Sequence, residues 1–200
     1  MLSKGKLIVI SAPSGGGKTT LREKLMELLP GLSYSVSVTT RIPRDSEING
    51  KDYCFIPEDV FRERVKNNEF IEWAEVHGNL YGTPGEFIEK NLQEGKDTLL
   101  DIDVQGALKI KERFPRALLI FICPPSMEVL ERRLQSRGTD SPEEIRERLI
   151  TATEELSCSK SYDCVIVNRT LEDTLAELCK TIENYIGHEK GVDKNGRCSD

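Results

Sequence analysis

The residues with the most chemistry per position form the run APSGGGKTT, residues 12–20. Gly15, Gly16 and Gly17 carry no side chains, so backbone N–H groups can turn inward there and surround an anion. Lys18 has the charge and reach for the β- and γ-phosphates of a nucleotide, and the Thr19 hydroxyl is a ligand type for Mg²⁺. The run follows the apolar LIVI at 7–10 and leads into LREKLMELL, whose leucines have helical spacing. Strand, glycine turn and helix make the context of a phosphate-binding loop, because the helix N-terminus adds its positive dipole end. The usual pattern opens with glycine where this chain has Ala12, but the end formed by Gly17, Lys18 and Thr19 is complete. A glycine-rich turn without a ligand is the plain alternative.

Three further groups of residues could act on the same ligand. The polar stretch 33–53 holds Arg41 and Arg44, three apart and beside Thr39 and Thr40. Such a pair reads as a clamp for a second phosphate, or else the stretch is a solvated connection. Asp101 and Asp103 end the apolar run TLLDID, where α/β folds place ligand and metal contacts; the ordinary role for Asp103 is to cap the next helix. Arg132, Arg133, Arg137, Arg146 and Arg148 flank a break at 138–140. Arginines on two helices about a glycine suit a lid that closes over polyphosphate, although some of them will pair with Glu128, Glu143 and Glu144. Glu72 stands between Ile71 and Trp73, and alternation alone puts it on the solvent side of a strand.

The elements that must position these residues are legible as periodicities. Leu21, Leu25, Leu28 and Leu29 give the first helix its apolar face, and Val60, Phe61 and Val65 do so for a helix starting at Pro57. Residues 69–84 read as a hairpin turning at Gly78-Asn79. Apolar strands at 6–11, 98–102, 117–122 and 164–167 are each followed by a helix, the last over 171–186. That alternation predicts an α/β fold: a parallel sheet with helices on both faces. A small α+β subdomain at 33–95 is inserted in a core of 1–32 and 96–186, with a helical lid at about 134–150 and a loosely ordered tail at 187–200.

Two hundred residues, 38% hydrophobic and 31% charged, suit one core with such an insertion. No apolar run reaches the ~18 residues of a membrane span, so no membrane partner is expected. The net charge of −6, without a dominant basic stripe, argues against nucleic acid. Six cysteines lack any CxxC pair or histidine at ligand spacing, so zinc and disulfides are not expected and a reducing cytoplasm is. Oligomeric state has no signature here.

Taken together, SAPSGGGKTT, SVSVTTRIPR, NGKDYCF, FIEWAEVHGNLYGT, LLDIDVQGA, RLQSRGTD and VIVN, in that order over roughly residues 4–186, resemble the guanylate kinases. These P-loop enzymes move a phosphoryl group from ATP to GMP. The resemblance implies ATP phosphates on Ala12, Pro13, Ser14, Gly15, Gly16, Gly17, Lys18, Thr19 and Thr20. It implies the GMP phosphate on Arg41, Arg44, Tyr53 and Tyr81. Guanine would be read by Ser37, Glu72 and Thr83 with Asp101 nearby, and Glu47 matches a position on the GMP side. Asp103 would sit with Thr19 near Mg²⁺ and its waters. Arg133, Arg137 and Arg148 would serve the lid and the ATP side, with Asn168 by the adenine; Lys18, Arg41, Arg137 and Arg148 would carry the catalytic charge. Ser46 departs from a common family glycine. The chemistry of guanine agrees: its N1–H and 2-amino group can share one carboxylate, Glu72, whereas adenine would leave that carboxylate unpaired. The alternatives are an inactive guanylate-kinase-like binding module and a kinase for another nucleoside monophosphate.

Overall fold

A computed structural model describes residues 5–45, 47–136 and 141–190. Ser46, Arg137 and the expected break at 138–140 lie outside the described residues. Strand β1 (Leu7–Ser11) is buried along its whole length and sits at the centre of a five-stranded sheet. After the glycine turn comes α1 (Lys18–Leu28), then β2 (Ser33–Tyr34), β3 (Val38–Thr39), β4 (Cys54–Phe55) and α2 (Glu58–Lys66). The hairpin β5 (Phe70–Val76) and β6 (Asn79–Pro84) leads to α3 (Gly85–Gln93). The chain then alternates through β7 (Thr98–Asp101), α4 (Val104–Arg113), β8 (Leu118–Cys123), α5 (Met127–Gln135), α6 (Pro142–Ser157), a 3₁₀ turn at Cys158–Ser161, β9 (Cys164–Val167) and α7 (Leu171–Lys190).

The first sheet runs β2-β7-β1-β8-β9, and all its pairings are parallel. A parallel sheet must be covered on both faces, and successive residues of β1 point to opposite ones. Leu7 and Val9 share a core with Ile88 of α3 and Ala107 and Ile110 of α4. Ile8 and Ile10 share the other with Leu21 and Leu25 of α1 and Leu178 and Ile182 of α7. The second sheet, β4-β3-β6-β5, closes a smaller core around Val38, Phe61, Phe70 and Leu80. There the Phe61 and Phe70 rings stack with centroids 4.5 Å apart.

Several expectations shift. Leu28 is 56% exposed, because the apolar stripe that α1 buries runs through Leu21 and Leu25, and Met26 packs in its place. Val60 faces water, since α2 turns Phe61 and, less deeply, Val65 toward its core. The hairpin turns at His77-Gly78, one residue early; both have positive φ, +49° and +72°, as a tight two-residue turn requires. Ser33–Tyr34 pairs with β7, and α3 covers the first sheet, so both ends of the expected 33–95 insertion pack with the parallel sheet. The last helix continues past Ile186 to Lys190, into the expected tail.

The smaller core depends on few side chains. Phe61→Ala is expected to cost about 3–5 kcal/mol in urea unfolding, far more than Val60→Ala on the same helix, which should change stability by less than about 0.5 kcal/mol.

Candidate active site

The C-terminal ends of β1 and β7 open on a cavity of about 420 Å³. On one side lies the turn from Ala12 to Thr19, on the other the inner face of the second sheet, and α6 closes the rim with Arg148 and Glu155. Gly15 and Gly17 have φ of +85° and +87°, conformations that side chains disfavour. A Cβ on Gly15 would also lie 2.8 Å from the Leu134 side chain, so α5 presses against the back of the turn.

Lys18 is the first residue of α1 and joins the two strand ends. Its ammonium lies 3.0 Å from Asp101 Oδ1 and donates to the Ile102 carbonyl at 3.1 Å. Burial acts to lower its pKa, but Asp101, with help from Tyr53 and Asp103, raises it well above the usual lysine value. The lysine therefore stays charged. Asp101, expected near guanine, is engaged with Lys18. Asp103 caps α4: its Oδ1 accepts from the N–H groups of Gln105 (2.8 Å) and Gly106 (3.2 Å). It also lines the cavity, as does Thr19.

Glu72 is buried, 6% exposed, on the inward face of β5 rather than the solvent face that alternation alone favours. A register shift between Phe70 and Glu72 accompanies this. The helix α4 lies against the strand: Lys109 donates to the Trp73 carbonyl and lies over the Trp73 ring. Gly106 leaves room for the carboxylate, since a Cβ there would come within 2.6 Å of Glu72 Oε2. Thr83 donates its hydroxyl to Glu72 Oε1, while Oε2 is buried without a partner among the described residues. Burial pushes the Glu72 pKa up to about 7, with the Thr83 bond opposing and Asp103 adding to the rise. Thr83, expected to donate to guanine, thus donates to Glu72 instead. The Ser37 hydroxyl, also in the cavity wall, is buried and unpartnered among the described residues.

The two arginines of the expected clamp are tied by one carboxylate. Glu47 Oε1 accepts from Arg41 Nη2 at 2.8 Å, and Oε2 from the Arg44 backbone N–H at 2.8 Å. Arg41 Nε donates to the Tyr81 hydroxyl at 3.2 Å, and its guanidinium lies 5.5 Å from the Tyr53 ring centroid. Arg41, Arg44, Tyr53 and Tyr81 all reach the cavity, and Glu47 sits behind them.

Other residues serve the loop from outside the cavity. Asn168 donates from Nδ2 to the Gly16 carbonyl at 2.8 Å and accepts from Thr174. Arg133 donates to the Asn168 carbonyl at 3.1 Å. Both stand behind the phosphate loop, and Thr20 points to solvent. Arg148 donates to the Ser14 hydroxyl at 3.4 Å. The sequence missed Glu144, Glu147, Glu155 and His77 as cavity residues. Glu144, Arg148 and Glu155 fall four and seven apart, so helical spacing counted from Arg148 could have found the carboxylates. Burial pushes Glu155 up to about 7, against the pull of Lys18.

The donors suit Mg²⁺ through its hard-oxygen preference: a carboxylate, Asp103, and a hydroxyl, Thr19, face one cavity. Among the described residues no group of three or more His, Cys, Asp or Glu could hold a metal alone, which matches an ion that takes most of its ligands from phosphates and water.

A cavity with a phosphate loop at one wall and an arginine–tyrosine cluster with a buried lone carboxylate at the other is the architecture the sequence motifs imply. Comparison with known proteins agrees. A family model described as guanylate kinase matches residues 4–185. The chain is 49% identical over 184 residues to a guanylate kinase of Trichodesmium erythraeum, covering 92% of this chain and 99% of that one. It is 46% identical to one from Caldanaerobacter subterraneus, over 96% and 92% of the two chains. The crystal structure of guanylate kinase from Anaplasma phagocytophilum superposes with a TM-score of 0.76 at 37% identity, covering 96% of this chain and 89% of that one. With a match spanning nearly every residue from the first strand to the last helix, the chain belongs to the guanylate kinase family.

Proposed function

We propose that this protein transfers the γ-phosphoryl group of ATP to GMP, giving ADP and GDP. The observation that carries the reading is Glu72: a buried carboxylate with one oxygen held by Thr83 and the other unpartnered among the described residues, facing a cavity shared with Lys18. Guanine supplies two adjacent donors to such a group. Adenine supplies none there, and an unmet buried acceptor costs about 1–3 kcal/mol, more when charged.

The mechanism needs no general base, because the attacking atom is an oxygen of the GMP phosphate, already anionic at neutral pH. That oxygen bonds to the γ-phosphorus, and the bond to the bridging oxygen breaks as ADP leaves. The chain's part is alignment and charge. The loop N–H groups and α1 dipole hold the ATP phosphates. Lys18 exchanges Asp101 for phosphate oxygens, and Arg41 and Arg44, pre-aligned by Glu47, take the GMP phosphate with Tyr53 and Tyr81. Arg148, attached to Ser14 from α6, adds charge as that helix moves over the site, and Arg137 lies in the segment before it. Thr19 and Asp103 would hold Mg²⁺, which would supply positive charge to the phosphates. No helix among the described residues is long and apolar enough to cross a membrane.

An assay of ADP release with ATP and Mg²⁺ tests the reading: turnover with GMP, and not with AMP, UMP or water, is expected. Turnover with AMP or UMP would overturn the account of Glu72, and a folded protein that binds GMP without turnover would be a binding module. Lys18→Ala is expected to fold and to lose turnover by about a hundred- to a thousandfold, on the scale of removing one preorganised donor from the transferring group.

Glu72 also sets a pH dependence. Its raised pKa means that the free protein holds a neutral acid below about pH 7 and a carboxylate above it. Guanine needs the carboxylate, so GMP affinity should rise from pH 6 to pH 8, by up to about tenfold per unit below the pKa. The stability of the ligand-free fold runs the other way: a raised carboxyl pKa stabilises at low pH, and that contribution is lost as pH rises through about 7. Calorimetric titration of Glu72→Gln should show weak GMP binding, unchanged ATP binding and a flattened pH profile. Gly106→Ala, whose methyl would displace the Glu72 carboxylate, should likewise raise the KM for GMP and leave that for ATP within about twofold, because the three atoms nearest the methyl all belong to that side chain.

A further inference from the structure

Arg22 lies one turn beyond Lys18 on α1, on the same face. Its side chain is only 6% exposed, yet it lines no part of the cavity. Nη2 donates to Asp52 Oδ1 at 2.9 Å and more distantly to Glu23, and Nη1 donates to the Lys51 carbonyl at 3.5 Å. The guanidinium also lies 4.8 Å from the centroid of the Tyr34 ring. Asp52 uses its second oxygen on its own turn, where Oδ2 accepts from the Ile48 N–H at 2.9 Å. The turn is closed further by Asp52 N–H to the Ile48 carbonyl, Gly50 N–H to the Tyr53 carbonyl, and Phe55 N–H to Asn49 Oδ1. Asp52 is therefore the point at which the 48–53 turn is fastened both to itself and to α1. The next residue is Tyr53, which enters the cavity beside Arg41 and Tyr81.

The burial of the pair gives it weight. On the same helix Lys24 and Glu27 form an exposed pair, a kind that contributes little. A guanidinium as enclosed as that of Arg22 is costly without a counter-charge, so removing either partner is felt. A brace for the fold alone could sit anywhere along α1. This one reaches from the helix that begins at Lys18 to the turn that ends at Tyr53, across the two walls of the cavity.

We propose that Arg22 is a positioning residue for the acceptor half of the site: through Asp52 it fixes the turn that presents Tyr53 to the phosphate of GMP. The proposal rests on the reading of that half as the GMP side. Lys18 and Arg22 then set donor and acceptor halves from one rigid helix, and loss of Arg22 weakens GMP while leaving the ATP phosphates on their loop.

The test uses Arg22→Met, Arg22→Lys, Asp52→Asn and Tyr53→Phe, with GMP and ATP each varied in kinetics and in calorimetric titration. Asp52→Asn is the mild variant, since its amide oxygen can still accept from Ile48. Arg22→Met and Asp52→Asn are each expected to raise the KM and Kd for GMP about tenfold, with ATP changed less than about twofold, and the double variant should be no worse than either single. Arg22→Lys should recover part of the loss. Tyr53→Phe should weaken GMP in the wild-type background and add little in Asp52→Asn. Equal weakening of ATP and GMP with a lowered melting temperature would make Arg22 a structural brace and overturn the proposal. Fully additive effects of Asp52→Asn and Tyr53→Phe would overturn the route through Tyr53, and unchanged GMP affinity in Asp52→Asn would overturn the proposal outright. A wild-type protein that neither binds nor phosphorylates GMP would instead overturn the underlying functional reading, before any variant is made.

Discussion

The ion pair between Lys18 and Asp101 is the contact around which the rest is arranged. It ties the first residue of α1 to the last residue of β7, and β7 lies beside β1 in the sheet. The pair can form because β1 and β7 are parallel: their C-terminal ends lie side by side, so the helix that follows β1 by one glycine turn begins next to the carboxylate that ends β7. The carboxylate outweighs the burial that would otherwise favour a neutral lysine. The protein thus keeps a full positive charge in a partly enclosed site with no substrate needed to hold it there.

The second organising constraint is the cost of a lone buried carboxylate. Glu72 could not remain unpartnered at one oxygen unless its surroundings prevented it from turning to water. Thr83 holds one oxygen, Gly106 admits the carboxylate against α4, and Lys109 binds α4 to the strand that carries it. The protein accepts a raised pKa as the consequence. A similar economy operates at the arginines. Glu47 keeps Arg41 and the Arg44 backbone in register, so like charges stand close to one another without repelling the loop open. On the proposed reading both features are preorganisation: groups aimed before ligand arrives lose less freedom on binding.

Much of this was legible in the chain itself. Three glycines followed by Lys18 and Thr19 after an apolar run have few structural meanings, because a backbone with φ above +80° at two positions tolerates little else. The parallel sheet followed from strand–helix alternation, and the arginine cluster from the polarity of residues 33–53. Leu28 and Val60 were misread for a common reason: periodicity identifies an apolar stripe but not its width, which depends on what packs against it.

The identities and spacing of residues by themselves determined the phosphate loop, the α/β class and the family, since these rest on local backbone demands and on motifs contiguous in the chain. Tertiary structure alone decided which partner each polar group takes. Glu72 faces inward because α4 covers its strand, Thr83 serves Glu72 because they are paired across β5 and β6, and Asn168 braces Gly16 from 152 positions away. Asp101 goes to Lys18, and Arg22 to Asp52 thirty residues on. Such pairings join residues distant in sequence, and their free energy depends on burial and angle, quantities that exist only once the chain has closed on itself.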